Sequence, residues 1–168
     1  MAFRVAGPVA NVAPVFVGGA YGCFVSTQNQ TNGGATTANK VTLNTQINGL
    51  SGMTNTNGTI TFTTAGVYQI ISELFFTSTT GANPTISQWL VKSGTNVDNS
   101  CQNFQLLGGA NTTQIAVCAF HVSVLVGDTL EFYWASSNTN VSLIYQAALA
   151  NPSRPASPSA IMTIQQVA

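Results

Sequence analysis

The stretch Val67-Tyr68-Gln69-Ile70-Ile71-Ser72-Glu73-Leu74-Phe75-Phe76 decides the fold. Side chains alternate faces along a strand. On that period Tyr68, Ile70, Ser72, Leu74 and Phe76 share one face, and Val67, Gln69, Ile71, Glu73 and Phe75 share the other. Both faces carry apolar residues, so the strand needs cover on both sides. In a two-layer sandwich the facing sheet covers one side and another subunit covers the second. Residues 113–125 read the same way, with Ile115, Val117 and Ala119 on one face and Ala116, Cys118, Phe120, Val122 and Val124 on the other. The pattern predicts an oligomer.

Outward from this segment, short runs rich in Val, Ile, Thr, Phe and Tyr alternate with clusters of Gly, Asn, Ser and Thr. Strands are expected over residues 21–27, 41–47, 58–63, 86–91, 102–107, 113–125, 129–134, 141–147 and 159–167, besides 67–76. Helical periodicity is sustained nowhere. About ten short antiparallel strands over residues 20–168 define an all-β fold, a single jelly-roll sandwich. Residues 1–19 have another texture: Pro8, Pro14 and the Gly18-Gly19 pair punctuate a stretch of small apolar residues. They read as an extended N-terminal arm. A free apolar arm invites aggregation, so it is expected to pack on a partner surface, with Phe3, Arg4, Val15, Phe16 and Val17 as its contact residues.

Charge is scarce. Four basic residues (Arg4, Lys40, Lys92, Arg154) balance four acidic ones (Glu73, Asp98, Asp128, Glu131), so 5% of the 168 residues are charged, against about 25% in an ordinary soluble protein. No basic stripe exists to neutralise phosphates, which argues against nucleic-acid binding. A polybasic membrane anchor fails for the same reason. Disorder driven by charge repulsion fails too, because 45% of the chain is apolar. Thr, Asn, Ser and Gln make up more than a third of the chain and supply a wet, electrically quiet surface. The first residues make a poor signal sequence, since Pro8, Asn11 and Pro14 interrupt the apolar run. No run is long enough for a transmembrane helix.

Residues with chemical potential are few. The single histidine, His121, lies three positions after Cys118, and odd spacing in a strand sends the two side chains to opposite faces. A Cys–His dyad is therefore disfavoured. The four carboxylates are the whole stock for acid–base work; Asp98 and Asp128 read as turn residues, and Glu73 is expected to pair with a base or a tyrosine. No phosphate-binding loop, nucleophile elbow or zinc-helix motif is present. The three cysteines (Cys23, Cys101, Cys118) lack ligand spacing and read as small hydrophobes, with a Cys101–Cys118 bridge open in an oxidising setting. No catalytic residue, cofactor or metal is expected. The Asn-x-Ser/Thr triplets at Asn29, Asn57, Asn111 and Asn140 read as chance in so Asn- and Thr-rich a chain. Trp89, Tyr133 and Trp134 offer rings on which a sugar can stack, although their place inside strand runs favours core or interface packing.

Three segments carry a family resemblance. Gly58-Thr-Ile60-Thr-Phe-Thr63-Thr-Ala-Gly66-Val-Tyr68-Gln-Ile70 resembles the G-x-F-x-x-P-x-x-G-x-Y-x-F signature of the complement globular-head family, which shares the tumour-necrosis-factor jelly roll. Thr63 stands where the signature has proline. Trp89-Leu90-Val91-Lys92-Ser93-Gly94 resembles the strand and turn V-x-L-x-K-N-G, and residues Val122 to Phe132, with Gly127-Asp128, resemble the family's L-x-L-x-x-G-D-x-V-x-L hairpin. The resemblance spans roughly residues 20–167 and implies a compact homotrimer. It places Tyr68, Ile70, Leu74, Phe76, Phe120, Val122 and Phe132 in the core or the trimer interface.

There is no collagen-like stalk, and acidic residues are too scarce for a calcium site. The Asn/Thr-rich loops and the ending from Pro155 to Val167 are similar to globular-head-like proteins of tailed bacteriophages. That likeness implies a virion component on the capsid surface: a non-enzymatic decoration (cement) protein that binds the major capsid protein at three-fold positions. The alternative is a tail-fibre head that binds a host glycan or protein through loops 28–39, 77–83 and 96–103. Only about twenty residues precede the first strand, which favours direct docking over a shaft.

Overall fold

The computed structural model describes residues 19–47 and 50–168; the arm residues Phe3, Arg4, Val15, Phe16 and Val17 lie outside the described residues. In chain order the strands are β1 (Tyr21–Ser26), β2 (Gln30–Thr31), β3 (Asn39–Lys40), β4 (Thr45–Gln46), β5 (Met53–Thr56), β6 (Thr59–Phe62), β7 (Gly66–Ser78) and β8 (Thr85–Lys92). They continue as β9 (Thr95–Asn96), β10 (Gln102–Gln105), β11 (Thr113–Val124), β12 (Thr129–Ser136), β13 (Val141–Leu143), β14 (Leu149–Ala150), β15 (Ser153–Arg154) and β16 (Ala160–Gln166). No helix occurs among the described residues.

Two antiparallel sheets of seven strands form the sandwich. One runs β2-β13-β7-β16-β1-β4 with β11 along the other side of β7; the second runs β10-β8-β12-β6-β5 with β3 on β12 and β9 on β8. The segment around Tyr68 is the axis of the first sheet: β7 pairs with β11 from Gly66↔Val124 to Thr77↔Thr113, and with β16 from Tyr68↔Gln166 to Leu74↔Ala160. Its alternation is realised as read. Tyr68, Ile70, Leu74 and Phe76 point inward and are buried, while Val67, Ile71, Glu73 and Phe75 point outward and are half-buried.

The second sheet contributes Ile60, Phe62, Ile86, Leu90, Leu130, Phe132 and Trp134 to the same core. Aromatic rings interlock across the layers: Phe62 against Tyr68 at 4.6 Å between centroids, and Phe76 edge-on to Trp134 at 5.4 Å. Such pairs add about 0.5–1.5 kcal/mol each beyond the area they bury. The buried Tyr68 hydroxyl donates to the Thr64 carbonyl at 2.9 Å, which satisfies its one polar atom. Gly66 opens β7 at φ 156°, and a Cβ there would sit 2.6 Å from both the Ala168 carbonyl oxygen and the Gln166 amide. Glycine alone allows the C-terminus to close over the start of the strand.

Three local expectations change. The segment 41–47 is mostly irregular, with only Thr45–Gln46 in a strand, because a side chain replaces the ladder. The Gln30 amide accepts from the Thr42 N–H at 2.7 Å and donates to the Thr42 carbonyl at 3.1 Å. Met53–Thr56 is an additional edge strand. Gly127-Asp128 does not close a hairpin: β11 belongs to the first sheet and β12 to the second, so this turn crosses between layers. It is fixed by the reciprocal bonds Gly127 N–H to Phe62 O (2.8 Å) and Phe62 N–H to Asp128 O (2.9 Å).

Candidate functional site

The groups able to do chemistry are held apart. Cys118 points into the core opposite Ser72, and His121 points outward opposite Gln69, so no dyad forms. The Gln88 amide donates to the Cys118 sulfur, which in turn donates to Gln102 Oε1 at 2.8 Å, and burial pushes the thiol up to about 11. A thiol held protonated this way is a poor nucleophile. The three cysteines are free.

The carboxylates are dispersed as well. Asp128 caps its turn, accepting from the Leu125 N–H at 3.0 Å and the Ser93 hydroxyl at 3.1 Å beside Lys92; these bonds, the Leu125 one foremost, hold it below the usual carboxylate range. Glu131 accepts from the Thr59 hydroxyl at 2.6 Å and lies 3.3 Å from the Lys40 ammonium, which lowers it too, the Thr59 bond contributing most. Asp98 lies exposed in the segment after β9. Glu73 was expected to have a base or tyrosine partner and has none among the described residues; it faces outward between its register neighbours Val117 and Ile161. Glu73 and Glu131 stand on opposite outer faces of the sandwich, so they cannot flank one bond. Among the described residues no group of three His, Cys, Asp or Glu comes together to hold a metal.

What the geometry assembles is surface. Across the outward face of the first sheet, Ile115 lies beside Phe75, Val117 beside Glu73 with Ile161 on the far side of Glu73, and Ala119 beside Ile71 with Thr163 on the far side of Ile71. Ile115 and Val117 are 57% and 58% exposed on the edge strand β11. Exposed apolar side chains clustered on a flat face mark a contact surface. The seven residues expected in the core or interface all lie on the other side of this sheet or in the facing one. Tyr68, Ile70, Leu74, Phe76, Val122 and Phe132 are buried, and Phe120 packs partly buried against them. Alternation separated the two sets correctly but did not say which set turns inward.

One end of the sandwich is also apolar. Gly19 lies against Gln166, and the Ala20 N–H donates to Gln166 Oε1 at 3.1 Å, so Gly19 and Ala20 lie beside the C-terminal strand β16. Leu125, Val126 and Val167 are exposed at this same end. Loops 28–39 and 77–83 are at the opposite end, tied together through residues 138–140: Asn32 bonds to the Asn138 carbonyl and the Thr79 N–H to Asn140.

No protein-family model matches the chain, and no curated protein does. Solved structures do. The globular domain of zebrafish complement 1qA superposes with a TM-score of 0.55 at 11% identity, covering 89% of this chain and 98% of that one. Murine APRIL at pH 8.0 superposes with a TM-score of 0.53 at 13% identity, covering 88% of this chain and 98% of that one. Murine APRIL at pH 5.0 gives 0.56 at 8% identity, over 89% and 99%. At such identities the likeness is one of fold: the chain is an all-β jelly roll of the kind found in the complement globular heads and the tumour-necrosis-factor ligands.

Proposed function

We propose that this protein is a non-enzymatic homotrimeric head that decorates a virion, binding the major capsid protein at three-fold positions and stabilising the shell. The observation that carries the reading is the outward apolar face of β7 and β11, where Ile115 and Val117 remain more than half exposed in the single chain. Two more copies of the chain cover such a face by closed symmetry, and a stable interface of this type buries about 800 Å² per partner. The arm then serves as the shell contact through three copies of Phe3, Arg4, Val15, Phe16 and Val17, and the end of the sandwich where Gly19 lies already exposes Leu125, Val126 and Val167. With so few charges the attachment is apolar and neutral-polar, hence weakly dependent on salt.

Deleting residues 2–19 tests the arm. The truncated protein is expected to keep its β-sheet circular dichroism and its trimeric mass while losing binding to undecorated shells. Undiminished decoration by the truncated trimer refutes the arm, and firm binding to host cells without affinity for shells moves the assignment to a fibre head.

A further inference from the structure

On the outward face of the second sheet, opposite the layer assigned above to the trimer, Trp89 of β8 stands beside its cross-strand partner Tyr133 of β12. The rings are 5.9 Å apart between centroids at 23°. One flank of the indole is thus occupied by Tyr133. On its other flank a shallow open cleft of about 360 Å³ is bounded by Trp89, Ser87, Asn96, Asp98 and Asn99.

The walls of this cleft are held firmly. The Trp89 indole N–H donates to Asn96 Oδ1 at 3.0 Å, fixing the ring. Segment 97–100 is pinned to β8 by the buried Ser100 hydroxyl, which accepts from the Leu90 N–H at 3.0 Å and donates to the Val97 carbonyl at 2.7 Å. The Val97 N–H donates to the Leu90 carbonyl at 2.9 Å. Asp98 and Asn99 ride on this pinned segment, both exposed, and neither side chain has a hydrogen-bond partner among the described residues. A rigid aromatic wall therefore faces an idle carboxylate and an idle amide.

We infer that this cleft is a binding site for a neutral hexose residue. An aromatic flank suits the C–H face of a pyranose ring, which is apolar and flat. The carboxylate of Asp98 and the amide of Asn99 suit its hydroxyls, a carboxylate–hydroxyl bond being the stronger kind. Because the Trp89 ring and the backbone of residues 97–100 are already held, only the Asp98 and Asn99 side chains have to be ordered on binding. Among the described residues no cation lines the cleft, and Lys40 is engaged by Glu131 and Lys92 by Asp128, so none of them offers an anionic sugar or a phosphate a counter-charge there. The volume falls at the small end of ligand sites and suits one or two sugar rings.

The inference does not depend on the capsid reading, since the site belongs to a single protomer. Its test is a titration of the full-length protein with methyl β-galactoside, methyl β-glucoside and N-acetylglucosamine to tens of millimolar, read by amide and indole nitrogen–proton spectra. The buried Trp134 indole is the internal control. At least one sugar is expected to shift the Trp89 indole and the Asp98 and Asn99 amides saturably while leaving Trp134 in place. Asp98→Asn should weaken that sugar about tenfold, the worth of one charge-assisted bond, and Trp89→Ala should abolish the shifts of Asp98 and Asn99. If Trp89→Ala does not fold, Asp98→Asn carries the test alone. The inference is overturned if none of the three sugars gives saturable shifts, if Asp98→Asn leaves the affinity unchanged, or if 3′-sialyllactose binds more tightly than the neutral sugars.

Discussion

Val117→Asp is the sharpest perturbation of the proposed assembly. Val117 is 58% exposed in the single chain, so the substitution leaves the fold of the protomer intact and acts where a second copy would sit. Full burial of a valine contributes about 1.5 kcal/mol or more; with somewhat over half its surface still open, covering it contributes about 1 kcal/mol per copy. The new carboxylate sits directly across the ladder from Glu73, which has no counter-ion among the described residues. Drawing this carboxylate and its neighbour Glu73 out of water on assembly costs about 2 kcal/mol or more per copy. Together the loss is about 3 kcal/mol per copy and roughly 9 kcal/mol per trimer, which lowers the association constant by about six orders of magnitude. Sedimentation equilibrium at micromolar concentration reads this directly. The unmodified protein should have three times the 17.5 kDa mass of one chain, and the variant the mass of one chain with an unchanged β-sheet spectrum. A variant that still sediments at three chain masses refutes the assignment of this face.

Two further outcomes follow from the site chemistry. Glu131 is held below its ordinary value by the Thr59 hydroxyl and then by Lys40, so its contribution is fully present above the unfolded carboxylate range and is lost as pH falls through its folded value. Urea melts from pH 6 down to about pH 3 should therefore show Glu131→Gln losing about 1 kcal/mol less than the unmodified protein, the size expected of one partly exposed hydrogen-bonded ion pair; parallel curves refute this. Cys118, buried and raised to about 11, should resist a disulfide exchange reagent at pH 8 in the native protein while the exposed Cys101 reacts at once. In denaturant all three thiols should react; rapid native labelling of Cys118 contradicts the packing described.

The fold was legible where one strand decides its own environment. The alternation through Tyr68, Ile70, Leu74 and Phe76 fixed the central strand and its buried face, and nine of the ten expected strands lie near observed ones. Gly66 was legible as a position of the signature, and the contact it makes possible with Ala168 needed coordinates to appear. Non-local facts stayed hidden. Gly127-Asp128 reads as a hairpin because sequence does not say that its two strands belong to different sheets. Segment 41–47 reads as a strand because nothing in its own residues announces that the Gln30 amide will take the ladder's place. Met53-Thr-Asn-Thr56 was missed because an edge strand needs little apolar content. The three rings Trp89, Tyr133 and Trp134 were considered together, yet Trp134 is buried against Phe76 and only the other two reach the surface. The cleft beside Trp89 had two sequence signals, the ring itself and loop 96–103, but nothing in the sequence says that the two meet.

The central claim is that this protein belongs to the lattice of a shell, and the copy number of the chain in purified particles from its source tests it most directly. Quantified against the most abundant shell protein, the account predicts hundreds of copies per particle in a simple ratio to that protein. A handful of copies per particle, or none, contradicts it.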